Sequence, residues 1–291
     1  PERGAPAICI KVNGEIILFD CGEGTQIQAS KAKISLGKMD KIFITHLHGD
    51  HVLGIPGIIM TQSLLSRSKP LYIFGPQGTI KMIKTLSEVI KFGASFKIFV
   101  YDIVEEGVVF ECEKYSVKCV KTDHRVESLA YALIEKDKPG KFYPEKAVSL
   151  GVPKGKLWGQ LQRGESITLN DGRIIHPSQV LGPPRPGRKI VYSGDTRPCK
   201  SVLELSRNAD LLIHDSTFNS ELQEKAVVSG HSTCVEAAKI ARDANVKQLV
   251  LFHISSRYRD IKVLEDEAKK IFPNTKASYD LMEIEIKQSD G

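Results

Sequence analysis

Within the stretch ITHLHGDHVLG, from Ile44 to Gly54, His46, His48, Asp50 and His51 fall inside six positions. Three of the chain's eight histidines are therefore in one loop. Gly49 and Asp50 are turn formers, but a turn alone accounts poorly for so many imidazoles. A desolvated imidazole needs a hydrogen-bond partner, and neighbouring imidazoles repel once protonated. A metal ion answers both problems, because neutral imidazole nitrogens and a carboxylate are good zinc ligands. More ligand-type residues follow apolar runs elsewhere: His124 closes SVKCVKTDH, Asp195 closes KIVYSGD and His253 closes QLVLFH. Gly194 is expected to let the backbone approach a metal closely. Singly, a histidine after a strand is more often a capped surface residue. Four such endings make a pattern, since chemistry in layered α/β folds gathers at the carboxyl ends of strands.

The elements that must position these groups can be read from periodicity. EIILFD, KIFIT, LYIF, SVKCV, YALI, KIVYS, DLLIHD and QLVLFH predict strands. TIKMIKTLSEVIKF and LEDEAKKIF predict helices, and in HSTCVEAAKIARDA the pair Thr233 and Glu236 predicts a capping box. The order suggests two similar halves, packed sheet on sheet with helices outside. With 291 residues, 41% hydrophobic and 26% charged, the chain reads as an ordinary soluble globular protein, of one large α/β domain or two average ones. No apolar run approaches the roughly 20 residues that span a bilayer, and no secretory leader pattern is read. Cys9, Cys21, Cys112, Cys119, Cys199 and Cys234 are scattered without a CxxC pair. They point to free thiols in a reducing cytoplasm rather than to a disulfide or thiolate–zinc framework.

Taken in order, LFDCGEGTQIQ (18–28), FITHLHGDHVLGIPG (43–57), KPGK (138–141), YSGDT (192–196), LLIHDSTF (211–218), GHST (230–233) and HISSRY (253–258) resemble the tRNase Z (RNase Z) family. These are tRNA 3′-processing endonucleases of the metallo-β-lactamase superfamily. The resemblance implies an α/β fold, an αββα four-layer sandwich formed by residues 1–291 as a single domain with an inserted arm, and two Zn2+ per chain. It further implies that His46, His48 and His124 hold one zinc and Asp50, His51 and His253 the other, with Asp195 between them. Seven nitrogen and oxygen donors suit two zinc ions with open positions for water and substrate. Asp20, in LFDCGEG, matches an acidic residue of the family. The residues alone leave open whether it supports a ligand from behind or caps the Gly22–Gly24 turn.

For the reaction, Asp50 is the candidate to accept the proton of an attacking water, and His231 to donate one to the departing ribose oxygen. Asp215 is the candidate to orient His231. Where the family usually has His-Glu-Ala-Thr, this chain has His214-Asp215-Ser216-Thr217, so the carboxylate is one methylene shorter. His214 reads as structural and His176 as a surface residue.

Residues 136–163 carry six lysines and one arginine against two acids, a balance of +5 in a chain of net charge +6. They also contain the only tryptophan, Trp158. In the family, an arm at this position binds the tRNA body. The usual motif resembling PPGPLYG is here Pro153-Lys154-Gly155-Lys156-Leu157-Trp158-Gly159. Lys154, Lys156, Trp158 and Arg257 are the candidate RNA contacts, with Arg257 either touching a phosphate or pairing with a surface acid. The expected partners are precursor tRNA and a second copy of the chain as a homodimer, with no membrane. The alternative is another two-zinc hydrolase of this fold acting on a small ester or phosphodiester, which would need neither the basic arm nor the His231–Asp215 pair. A non-catalytic RNA-binding module would be expected to lack ligands, and all seven are present.

Overall fold

The chain opens on a two-residue hairpin. β1 (Ile8–Val12) and β2 (Glu15–Phe19) pair antiparallel, with Val12 opposite Glu15. Asn13 and Gly14 between them both have positive φ, as a type I′ Asn-Gly turn requires. The structure, a computed structural model, describes residues 3–288. After α1 (Thr25–Lys31), β3 (Met39–Phe43), α2 (Gly49–Val52), α3 (Ile55–Leu64), β4 (Leu71–Pro76), α4 (Thr79–Ile90) and β5 (Ile98–Ile103) complete a five-stranded sheet in the order β1-β2-β3-β4-β5. From β2 onward its strands are parallel. Its central strands read as continuous apolar runs because both faces are covered.

A second sheet begins with β6 (Gly107–Glu111), β7 (Tyr115–Lys121) and β8 (Leu129–Glu135). The chain then forms a separate compact unit, Ile134–Arg188, joined by the stretch from Glu285. It contains α5 (Pro144–Ser149), α6 (Lys156–Gln162) and a small hairpin of β9 (Ile167–Thr168) and β10 (Ile174–Ile175). Its own core comprises Ala147, Val152, Leu161, Ile167, Ile175 and Val180. Residues 136–163 lie inside this unit, which runs on to Arg188.

Beyond it come β11 (Lys189–Tyr192), α7 (Lys200–Ser206), β12 (Leu211–Asp215), α8 (Gln223–Ser229), α9 (Cys234–Asp243), β13 (Leu249–Phe252), α10 (Lys262–Lys269) and β14 (Thr275–Ala277). They extend the second sheet to seven strands in the order β14-β13-β12-β11-β8-β7-β6, with β11 to β14 parallel. The sequence-predicted strands coincide with β2, β3, β4, β7, β8, β11, β12 and β13, and the predicted Thr233–Glu236 capping box opens α9.

The two sheets meet through aromatic rings. Phe19, Phe43 and Phe74 stack in sequence, with centroids 5.3 and 4.8 Å apart. Tyr131 of β8 tilts onto Phe19 and Phe43 at 5.7 and 5.5 Å. Its buried hydroxyl donates to the Ile44 carbonyl at 2.7 Å, just before the histidine-rich loop. A second apolar cluster, including Ile42, Ile44, Ile55, Ile58 and Ile59, packs α3 behind the same loop. Among the described residues no helix is long and apolar enough to cross a membrane.

Candidate metal centre

The chain leaves β3 still extended through Ile44, whose N–H bonds to Phe74 O. It delivers Thr45 and His46 fully buried and then turns at His48, the N-cap of α2. The first turn of that helix carries Asp50 and His51. Its position is set from below: Cys21 N–H bonds to His51 O and Gly54 N–H to Cys21 O. A side chain at Gly22 would meet Asp50 O at 2.2 Å, so only glycine lets this loop lie so close. His46 therefore has the rings of His51, His48 and His124 at centroid distances of 4.1, 4.6 and 5.0 Å.

Donor atoms from five segments converge. His46, His48, His124 and Asp195 form one group with donor atoms within 4.8 Å of one another; Asp50, His51 and His253 form a second; and Asp195, His231 and His253 a third. All seven sequence-predicted ligands are thus in one place, with His231 at their edge.

The fit to metal can be tested on polar atoms without partners. Nε2 of His51, Nε2 of His124 and Oδ1 of Asp195 are buried with no hydrogen-bond partner. His46 Nε2 and His48 Nδ1 face each other at 2.9 Å. Buried polar atoms are normally satisfied, and cations among these donors would satisfy all of them.

The electrostatics separate the histidines. Burial, with His51 beside it, lowers the pKa of His46 to about 3, and burial and His124 lower that of His48; both are neutral donors. Burial also opposes charge on His51 and His253, but Asp20 and Asp195 hold His51 well above the imidazole range, and Asp195 and Asp50 raise His253 to about 9. The His253 hydrogen bond lowers Asp50 to about 2. Burial would raise Asp195, yet the His253 and His51 charges hold it well below the usual carboxylate range.

Two aspartates hold the histidines from behind, on the same plan. Asp20, fully buried, accepts His51 Nδ1–H at 2.7 Å, Tyr192 OH at 2.8 Å and Thr45 N–H at 2.7 Å. Thr45 Oγ1 lies 2.8 Å from the same carboxylate and 3.0 Å from His46 Nδ1. One carboxylate therefore orients His51 directly and His46 through a threonine, the supporting role of the two considered for it. Asp215 repeats this arrangement. It holds His231 Nδ1 at 2.8 Å, while Thr217 Oγ1 donates to it at 2.8 Å and lies 3.1 Å from His253 Nδ1. The shorter aspartate thus reaches His231 within hydrogen-bond distance, and Thr196 N–H, at 3.0 Å, helps fix it. Thr45, Tyr192, Thr196 and Thr217 were not singled out by sequence, because a threonine beside a ligand has no spacing signature.

Some expectations need correcting. Gly194, at φ +60, permits close approach to Thr45 rather than to a metal: a Cβ there would lie 2.8 Å from Thr45 Cβ. Trp158 is partly buried, its ring 5.2 Å from that of Phe142 and its Nε1–H bonded to Val152 O at 3.1 Å. Lys154 and Lys156 are exposed. The Arg257 guanidinium lies 5.0 Å over the Phe218 ring, and Phe218 in turn meets the His231 ring edge-on at 6.4 Å. His214 is fully buried, with Nδ1 2.8 Å from Asp215 O. His176 is exposed beside Ser166.

Residues 6–141 match the family described as Anti-Pycsar protein Apyc1, and residues 170–254 match the beta-lactamase superfamily domain. The chain is 48% identical to the Ribonuclease Z of Methanosarcina acetivorans, across 98% of this chain and 93% of that one. It is 46% identical to the Ribonuclease Z of Brevibacillus brevis, across 96% and 90%. The crystal structure of human tRNase Z, short form, superposes with a TM-score of 0.72 at 30% identity, covering 99% of this chain and 94% of that chain.

Proposed function

Because the chain belongs to the ribonuclease Z family, and is therefore a metallo-β-lactamase-fold endoribonuclease of tRNA 3′ processing, we propose that it removes the 3′ trailer of precursor tRNA with two zinc ions. His46, His48 and His124 would hold one ion, Asp50, His51 and His253 the other, and Asp195 both. The carrying observation is the pair of donor groups, one holding buried Asp195 and the other bringing His51 Nε2 and His253 Nε2 each to 3.5 Å from its Oδ2, with nitrogens lacking hydrogen-bond partners on His51 and His124. Bound zinc would acidify an attacking water and neutralise charge on the phosphoryl oxygens.

The remaining work falls to side chains. Asp50 is half exposed and held ionised by His253, so its free carboxylate oxygen can accept the proton of the water that attacks phosphorus. As the bond from phosphorus to the ribose 3′-oxygen breaks, that oxygen takes a proton from His231 Nε2. Asp215 holds Nδ1 at 2.8 Å, which fixes the tautomer, turns Nε2 away from the carboxylate and stabilises the protonated ring. The products are a tRNA 3′-hydroxyl and a trailer with a 5′-phosphate.

The exposed cations of residues 136–163 support a grip on the tRNA body through its phosphates; Lys154 and Lys156 are the contacts we favour. Homodimerisation is supported by exposed apolar side chains on α1 and α3 and at the ends of α2 and α3: Ile27, Met60 and Leu64, with Leu53 and Leu65. A cytoplasmic setting is supported by the free cysteines. Mapping the cut on a defined precursor tRNA, with zinc measured on the same dialysed protein, tests the reading. A cut 3′ to the tRNA body with about two zinc ions per chain is expected. Active protein free of transition metal would end the two-zinc proposal.

A further inference from the structure

His231 is carried by the turn between α8 and α9, and a proton donor on a turn must be held in place. Consecutive carbonyls pin it. Gly230 O accepts Nδ1–H of His124 at 2.8 Å, and His231 O accepts Nη1–H of Arg197 at 2.6 Å. Arg197 lies two residues beyond Asp195, and its own N–H bonds to Asp123 O at 2.7 Å, beside His124. The same Nη1, together with Nη2, makes a two-pronged ion pair with Glu236, at 2.8 and 2.5 Å. Glu236 is the capping-box glutamate of α9: it accepts Thr233 N–H at 2.9 Å and Gln223 Nε2–H at 2.6 Å. The Arg197 and Glu236 side chains are only 16% and 13% exposed, so little solvent competes for these bonds.

We propose that Arg197 is a positioning residue for the cleavage step. By bonding the His231 carbonyl while it grips Glu236, it fixes the start of α9 to the loops of Asp195 and His124, and thereby sets where His231 Nε2 points. The task suits arginine, because one planar fork serves a carbonyl and both carboxylate oxygens at once. A lysine ammonium is a single point charge without that geometry. The inference rests on the reading of His231 as proton donor, and it adds to that reading the residue through which the donor is aimed.

Arg197→Lys and Glu236→Gln should be compared with wild type on precursor tRNA and on bis(p-nitrophenyl) phosphate, whose leaving group needs no proton. Small misplacement of a proton donor costs on the order of 10–100-fold. We expect kcat on precursor tRNA to fall by that amount while KM and zinc content stay within about twofold and the nitrophenyl diester loses less than about threefold. In a His231→Ala background, Arg197→Lys should cost less than about a further twofold, since residues acting as one unit are non-additive. Equal losses on the two substrates, or a full further loss without His231, would overturn the proposal. His231→Ala alone separates the two readings. If it costs as much on the nitrophenyl diester as on tRNA, His231 is not the donor. If it separates the substrates while Arg197→Lys does not, only the positioning role falls. Should Arg197→Lys fail to fold, Glu236→Gln carries the same test, because it removes the ion pair while keeping the Arg197 bond to the His231 carbonyl.

Discussion

Replacing Asp20 by asparagine removes a charge at almost constant shape. The residue has φ 56°, a left-handed conformation that asparagine tolerates and alanine does not, so backbone strain does not confound the result. The carboxylate accepts from Thr45 N–H on one oxygen and from His51 Nδ1–H and Tyr192 OH on the other. An amide has one acceptor oxygen. In either orientation its NH2 faces a donor: Thr45 N–H, which can only donate, or His51 Nδ1–H, which can accept only by changing its tautomer. The loss is one charge-assisted hydrogen bond, about 1.5–3 kcal/mol, plus a buried unsatisfied donor, about 1–3 kcal/mol. A destabilisation of roughly 3–5 kcal/mol follows, the range seen when one partner of a buried pair is removed. Zinc affinity should fall about 10–100-fold, because two histidines of the proposed zinc set lose their orientation. Urea unfolding of chelator-treated protein reads the first quantity, and zinc competition against a fluorescent chelator the second. A variant within about 1 kcal/mol of wild-type stability and within about twofold of its zinc affinity would refute the argument.

Asp50→Ala should abolish cleavage while weakening tRNA binding far less if affinity comes largely from the basic unit, as proposed; near-wild-type turnover, measured in single-turnover assays, would count against both of its proposed roles. Replacing residues 136–163 with a Gly/Ser linker should destroy precursor-tRNA cleavage, spare a nitrophenyl phosphodiester and flatten the salt dependence of tRNA binding, whose log–log slope is about −0.7 to −0.9 per phosphate contact; an unchanged slope would place the RNA grip elsewhere. Burial pushes the Glu236 carboxyl up, but Arg197 and Thr233 outweigh it and depress its pKa. Its contribution to stability is therefore full above the ordinary glutamate value of about 4.3 and is lost as pH falls through the depressed one. Glu236→Gln should accordingly flatten the acid limb of a stability–pH curve, and parallel limbs would contradict that.

Strands such as β2, β12 and β13 are legible in the sequence because they bury both faces and read as apolar runs, whereas β7 is legible by alternation, with exposed Lys118 between buried Val117 and Cys119. β1, β5 and β6 are harder to read: they lie at the edges of their sheets, and their runs ICIKV, IFVYDI and GVVFE are mixed. The metal-donor set is legible for a similar reason. One imidazole or carboxylate at a strand end means little, but several in one chain make a pattern, whereas Thr45, Thr217 and Arg197 are residue types that occur anywhere and acquire their roles from distant partners. Arg197 meets Glu236 across 39 positions and Tyr192 meets Asp20 across 172, separations that no local pattern encodes. Trp158 is half legible: composition marks it as an aromatic beside lysines, but not that its ring packs partly buried against the aliphatic core of the unit Ile134–Arg188.

Two phenols reach from the seven-stranded sheet to the other: Tyr131 bonds to Ile44 O and Tyr192 to Asp20. Both touch the chain within a few residues of His46 or behind His51. The aim of those imidazoles is thus referred to the opposite layer of the sandwich and not only to the strand that bears them. A slight slide of one sheet over the other would turn two donor rings before it opened any cavity large enough to unfold the chain. If these donors hold zinc as proposed, its affinity is accordingly a strain gauge for the sandwich. Core substitutions remote from the metals, too mild to register in a melting curve, should register there first.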